Sequence, residues 1–160
     1  MLTPLLMVLV LVLPALASRL ARRAPLHDAR HAAAAGLGLL FLFTASGHFL
    51  QTAAMVQMLP AWVPAREALV YATGVLEIAI AIALFFRRSR TAAAWAAAAA
   101  LVAFFPANVY AAFAHAPMGG HAWGPAYLLV RAPLQLFILW WIWALVLRAP
   151  QPRGLPAALR

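Results

Sequence analysis

Five polar side chains stand in otherwise apolar surroundings: His48 in "TASGHF", Glu77 in "YATGVLEIAIAIALFF", Asn108 in "FFPANVYAAF", and Arg131 and Gln135 in "LLVRAPLQL". An imidazole, a carboxylate, a guanidinium and two amides can hold a polar head group and exchange a proton with it. An ionisable residue inside an apolar segment is by default a functional-site hypothesis whose partner must be named. For Glu77 the expected cation is Arg131, with Gln135 one turn further along the same face. Thr73 and Gly74 share the face of Glu77, and the glycine allows a close neighbour. Pro106 leaves the carbonyl of Val102 without its helical donor, so another group must satisfy it. Two readings stay open from these residues. One is a structural knot in which Glu77 and Arg131 pair while Asn108 and Gln135 satisfy loose backbone. The other is a pocket, open to the outer face or the lipid, for a polar head group on an apolar tail.

The elements that must position these residues follow from composition. Hydrophobic residues make up 67% of 160 and charged residues 9%, with mean hydropathy +0.91. Soluble domains average roughly 45–50% apolar and about 25% charged, so the chain is read as an integral membrane protein. Five segments approach the roughly 20 residues a bilayer core needs, at about 3–18, 31–50, 69–86, 91–114 and 126–147. Glu77 is then expected roughly 12 Å below the outer end of its helix. The last four spans each contribute a polar face, and the first contributes none beyond Thr3. The expected fold is all-α and polytopic: a four-helix transmembrane bundle over 31–148, preceded by an anchor helix and basic turn over 1–30. A Pro-rich tail over 149–160 is expected to be disordered in the cytoplasm.

Charge sets the expected orientation. The chain has twelve arginines, no lysine and three acids, for a net charge of +9. With alternating spans, Arg19, Arg22, Arg23, Arg30, Arg87, Arg88, Arg90, Arg148, Arg153 and Arg160 share one side. Basic loops stay cytoplasmic, which puts the N-terminus outside and the C-terminus inside, and argues against nucleic acid as the partner of this charge. Trp62, Tyr71, Trp123 and Tyr127 are expected as anchors at the outer interface, and Trp140, Trp141 and Trp143 at the inner one. Ala15-Leu16-Ala17 before Ser18 has the look of a signal-peptidase site. Secretory signals, however, carry their positive charge ahead of the apolar run; here it follows, so a retained anchor is expected. Heavy use of Ala and Arg without Lys fits a GC-rich bacterial genome, hence a bacterial inner membrane. The absence of cysteine excludes disulfide exchange and thiolate metal sites.

His115, Met118 and His121 in "HAPMGGH", with Met55 and Met58 in the other outer connector, are ligand types that suit copper. Their spacing is no fixed motif, and no metal is expected. His27, Asp28 and His31 read as a solvated turn beside the inner arginines.

Four stretches together carry a family resemblance: "ASGHF" (45–49), "MLPAWVPAREALVYATGVLEI" (58–78), "FPANVYAA" (105–112) and "RAPLQL" (131–136). In this order they make the chain, from about Gly36 to Arg148, resemble the DoxX-like membrane proteins. The resemblance implies a four-helix membrane bundle associated with redox enzymes, of the thiosulfate:quinone oxidoreductase small-subunit kind. The leading reading is a redox-associated subunit that binds a quinone or a lipid head group, with Glu77 and His48 in catalytic roles and Asn108, Tyr110, Arg131 and Gln135 holding the ligand. Two features depart from the family, the extra N-terminal span and the lack of cysteine. Electrons would have to come from a redox partner subunit. Two other functions are weighed, a non-enzymatic assembly factor with a structural polar network and a small-molecule or metal transporter. The transporter would need homo-oligomerisation, since no inverted repeat is visible.

Overall fold

The computed structural model of the chain describes residues 2–20 and 26–148. The basic turn around Arg22 and Arg23 and the tail over 149–160 lie outside the described residues. Long helices α1 (Leu2–Leu20), α2 (Leu26–Leu50), α4 (Arg66–Phe85) and α5 (Arg90–Phe113) alternate with a short α3 (Thr52–Val56) and a fifth apolar segment. That segment opens as a 3-10 turn (His121–Tyr127), continues as α6 (Leu128–Trp141) and closes in a π-helical turn (Ile142–Leu147). Five helical segments are long and apolar enough to cross a membrane, and no strand occurs among the described residues. The fold is all-α and polytopic, as composition required.

The core runs along the bundle rather than gathering at one point. Leu11, Leu37, Leu40, Leu84, Ile138, Ile142 and Val146 are fully buried. Alanines on α2 and α5, including Ala33, Ala34, Ala94 and Ala97, bury alongside them. Lipid tails supply little hydrophobic drive between helices, so small residues that let backbones approach supply packing instead. One buried polar bond crosses this layer: Trp141 Nε1–H donates to Ala33 O over 3.1 Å.

α1 is packed in rather than appended. A Cβ at Gly36 would collide with the carbonyl oxygen of Leu11, so the two backbones touch where the glycine sits. Met7 and Leu11 are buried in the main core, whereas Leu5, Leu9, Leu13 and Leu16 face outward.

The ends of the bundle are chemically unlike. At one end α2, α3 and the 110s loop meet, with Met55 and Met118 methyls both against Gly47; this is called the loop end below. At the other, Arg30 reaches Val146 and Thr91 while Arg90 reaches Leu84 and His31; this is the arginine end.

Candidate functional site

The expected single polar cluster resolves into two linked groups. The first joins α2 to α4. On α2, Thr44 and His48 are four residues apart and share a face. On α4, Gly74 presents bare backbone to that face: a Cβ there would lie 2.7 Å from His48 Cβ. With the helices this close, His48 Nδ1–H donates to Val70 O over 2.7 Å, with Thr73 Oγ1 at 3.2 Å from the same nitrogen. A carbonyl can only accept, so Nδ1 carries the proton and Nε2 is left facing Glu77. His48 Nε2 is 3.8 Å from Glu77 Oε1, an ion pair when the imidazole is protonated. Thr44 Oγ1–H donates to Glu77 Oε2 over 2.7 Å. Both carboxylate oxygens of the buried Glu77 therefore have protein partners.

Arg131 is not the ion-pair partner of Glu77, contrary to the sequence expectation. Among the described residues the ion pair of Glu77 is with His48, because α2 rather than α6 lies against the Gly74 face of α4. Glu77 is also deeper than expected. α4 begins at Arg66, and Arg66 to Glu77 covers roughly 17 Å at about 1.5 Å per residue.

The second group joins α5 to α6. Arg131 Nε–H donates to Asn108 Oδ1 over 3.0 Å, and Asn108 Nδ2–H donates to Phe104 O over 2.8 Å. Arg131 Nη1 lies 3.9 Å from Met7 Sδ, so α1, expected to add nothing polar beyond Thr3, supplies a soft acceptor. The guanidinium remains within electrostatic reach of Glu77, Tyr127 and His121, which links the two groups. Gln135 Nε2–H donates to Leu101 O over 2.9 Å. This fixes the amide orientation, and it leaves Oε1 buried with no donor among the described residues.

Gln135 lines a cleft of about 350 Å³ between α5 and α6, together with Val102, Phe105, Ala132, Leu136 and Leu139. Val102 and Leu136 are exposed on its rim, so it opens sideways from the bundle. Pro106 has no N–H to offer Val102 O, so the same turn of α5 carries a second acceptor without its helical donor. Gln135 therefore serves Leu101, not the carbonyl that the proline frees. The cleft is apolar apart from Gln135, whose Oε1 has no hydrogen-bond partner among the described residues. Its chemistry matches an apolar molecule that brings an O–H or N–H.

Tyr110, expected among the ligand-binding residues, is exposed and forms no side-chain hydrogen bond with either group. Tyr127, expected at an interface, is buried edge-on against His121 with ring centroids 4.9 Å apart. Trp141 is likewise buried, because its indole N–H bonds across to α2. Trp62, Trp123, Trp140 and Trp143 are exposed. His121 is buried, donates from Nδ1 to Met118 O over 2.8 Å, and has no partner at Nε2 among the described residues. His115 is exposed. The described residues hold no group of three His, Asp or Glu side chains placed for a metal.

Sequence reasoning missed Thr44, Tyr127 and Met7. The i,i+4 spacing of Thr44 and His48 was a usable signal. Nothing in "MLTPLLMV" marks Met7 as a neighbour of Arg131.

A family model described as a domain of unknown function, DUF8561, matches residues 37–146. The matched span takes in the cleft and the polar side chains of α2, α4, α5 and α6, and leaves out α1 with Met7. No curated protein and no solved structure is significantly similar to the chain.

Proposed function

This chain belongs to the DUF8561 family, and from its cleft we propose that it binds a hydroxyl-bearing amphipath of the hydroquinone class, drawn sideways from the bilayer. The observation that carries this reading is the buried, donorless Oε1 of Gln135 at an apolar cleft. A quinone fits poorly there, since its carbonyls would face Gln135 Oε1 acceptor to acceptor. The reduced form fits, because its O–H supplies the missing donor. The ring would lie against Phe105 and Leu139, and the tail would leave between Val102 and Leu136. When bound, such a ligand supplies two-electron redox chemistry; the chain has no cysteine, and electron carriage belongs to a partner subunit. The DoxX-like resemblance supports that association.

In this reading Glu77 and His48 are clamp residues between α2 and α4 rather than catalysts. Their fully partnered geometry favours that assignment over proton exchange. The same feature favours an assembly factor with a structural network as the second reading. We place the protein in a bacterial inner membrane with the arginine end cytoplasmic, so that the N-terminus is outside and the C-terminus inside.

The test is binding of a short-chain isoprenoid hydroquinone and its oxidised quinone to the purified full chain in mild detergent. A hydrogen bond worth about 0.5–1.5 kcal/mol gives the reduced probe a preference of roughly two- to tenfold. Gln135→Leu should erase that preference, and Glu77→Gln should keep it. Equal affinity for the two redox forms in wild type would reject the reading. Loss of binding in Glu77→Gln alone would return the site to the α2–α4 group.

A further inference from the structure

We propose that the arginine end holds a second site, a seam formed by Arg30 and Arg90 that binds the phosphate of an anionic phospholipid in the adjoining leaflet. Both guanidinium groups are fixed by the protein. Arg30 Nε–H donates to Val146 O over 2.7 Å and Nη2–H to Thr91 Oγ1 over 3.3 Å. Arg90, buried at 6% exposure, donates from Nε to Leu84 O over 3.2 Å and from Nη2 to His31 Nδ1 over 2.6 Å. The two side chains thereby tie together α2, the end of α4, the start of α5 and the final turn.

A guanidinium has five N–H donors, and these bonds use two on each arginine. The buried side-chain atoms without a partner among the described residues are His121 Nε2 and Gln135 Oε1, both elsewhere. Arg30 is half-buried, so the seam reaches the surface through its guanidinium. Arg30 and Arg87 are within electrostatic reach of Arg90, and Arg88 is exposed on the same turn. No ion pair forms at this end among the described residues. In sequence, Asp28 is the one acid set against these cations and Arg19, Arg22, Arg23 and Arg148.

Among the described residues these cations are held by carbonyl, hydroxyl and imidazole acceptors, which leaves net positive charge beside a low-dielectric layer. A phosphate answers both needs, since its oxygens accept paired N–H groups in the fork geometry of arginine. The surroundings select a lipid over a free ion. Phe86, Trp95 and Trp143 are exposed near this end, and Arg148 sits 4.9 Å over the Trp143 ring. Exposed aromatic rings next to basic side chains suit the headgroup boundary, where acyl chains lie against the rings.

The experiment titrates the purified full chain in detergent with phosphatidylglycerol, phosphatidylcholine and inorganic phosphate, and counts bound lipid by native mass spectrometry. One phosphatidylglycerol should bind saturably. Phosphatidylcholine, whose choline the arginines repel, and inorganic phosphate should each bind at least about tenfold more weakly. Arg30→Lys and Arg90→Lys keep the charge but lose the fork, and should lower phosphatidylglycerol affinity about fivefold or more. Arg87→Lys and Arg88→Lys should leave it unchanged. Equal affinity across all four lysine variants would reduce the effect to diffuse charge and overturn the site. Inorganic phosphate binding as tightly as the lipid would overturn the lipid assignment. If Arg90→Lys does not fold, Arg30→Lys and the wild-type lipid comparison decide.

Discussion

The buried carboxylate of Glu77 on α4 rests on two side chains of α2, facing His48 Nε2 at 3.8 Å and accepting from Thr44 Oγ1–H over 2.7 Å. A carboxylate in "VLEIAIAIALFF" had to have a partner, and that much was legible in the sequence. The partner was not, because helical spacing fixes which residues share a face but not which neighbouring helix that face meets. Gly74 decided it by admitting His48 of α2. The consequence is an ordering of mutant stabilities. His48→Phe removes the imidazole that faces Glu77 and the Val70 bond, leaving a buried carboxylate with only Thr44, so it should cost about 3–5 kcal/mol. Arg131→Met keeps the length of the side chain and leaves Asn108 Oδ1 without a donor, a loss of about 1–3 kcal/mol. Thermal unfolding in detergent, followed by size-exclusion fluorescence, compares the two. An Arg131 variant less stable than the His48 variant would mean that the arginine supports Glu77 after all.

At the scale of elements, the spans were legible to within a few residues because lipid demands long apolar helices. The seams between them were not. "AAAAGLGLL" announces small residues, yet only the fold shows that Gly36 meets backbone, the carbonyl of Leu11, while Gly74 meets a side chain. These contacts differ in how they yield. Gly36→Ala sets a methyl against an oxygen that cannot rotate away, so α1 as a whole must move. Overpacking of this kind costs typically 1–3 kcal/mol, and the upper end is expected here. Gly74→Ala presses on His48 Cβ, and it should also disturb the His48 bond to Val70. The melting temperature of each variant, read with and without the further change Leu11→Ala, separates the cases. Leu11→Ala leaves the Leu11 carbonyl in place and should not rescue Gly36→Ala. Rescue would show that the side chain, not the backbone, made the seam. The fifth span also escaped sequence reading as a single helix. Gly124 at φ 72 with Pro125 behind it forces a 3-10 entry, and the segment closes in a π turn whose Arg148 N–H reaches Trp143 O.

For the molecule as a whole, charge distribution carries the argument that contacts cannot. Every arginine from Arg19 to Arg148, apart from Arg66 and Arg131, falls at or next to one end of the spans. The structure gathers Arg30 and Arg90 into one seam there. The opposite end carries exposed Trp62 and Trp123 and the His121 loop. Retention of basic segments on the cytoplasmic side predicts, from this asymmetry, a cytoplasmic arginine end. The natural absence of cysteine makes it directly measurable, since any single thiol is unique. Trp62→Cys and Trp123→Cys should react with a membrane-impermeant maleimide on intact spheroplasts. Arg87→Cys, exposed on the turn between α4 and α5, should react only after the membrane is permeabilised. The reverse pattern would invert the protein and put the arginine seam against the outer leaflet. Labelling of all three thiols in intact cells would break the alternation of spans itself. With the expected pattern, the Gln135 cleft sits in the wall of the bundle and the arginine seam meets the inner leaflet. A lipid at the seam would then brace the junction of α2, α4, α5 and the final turn, while the cleft stays open to exchange with the bilayer.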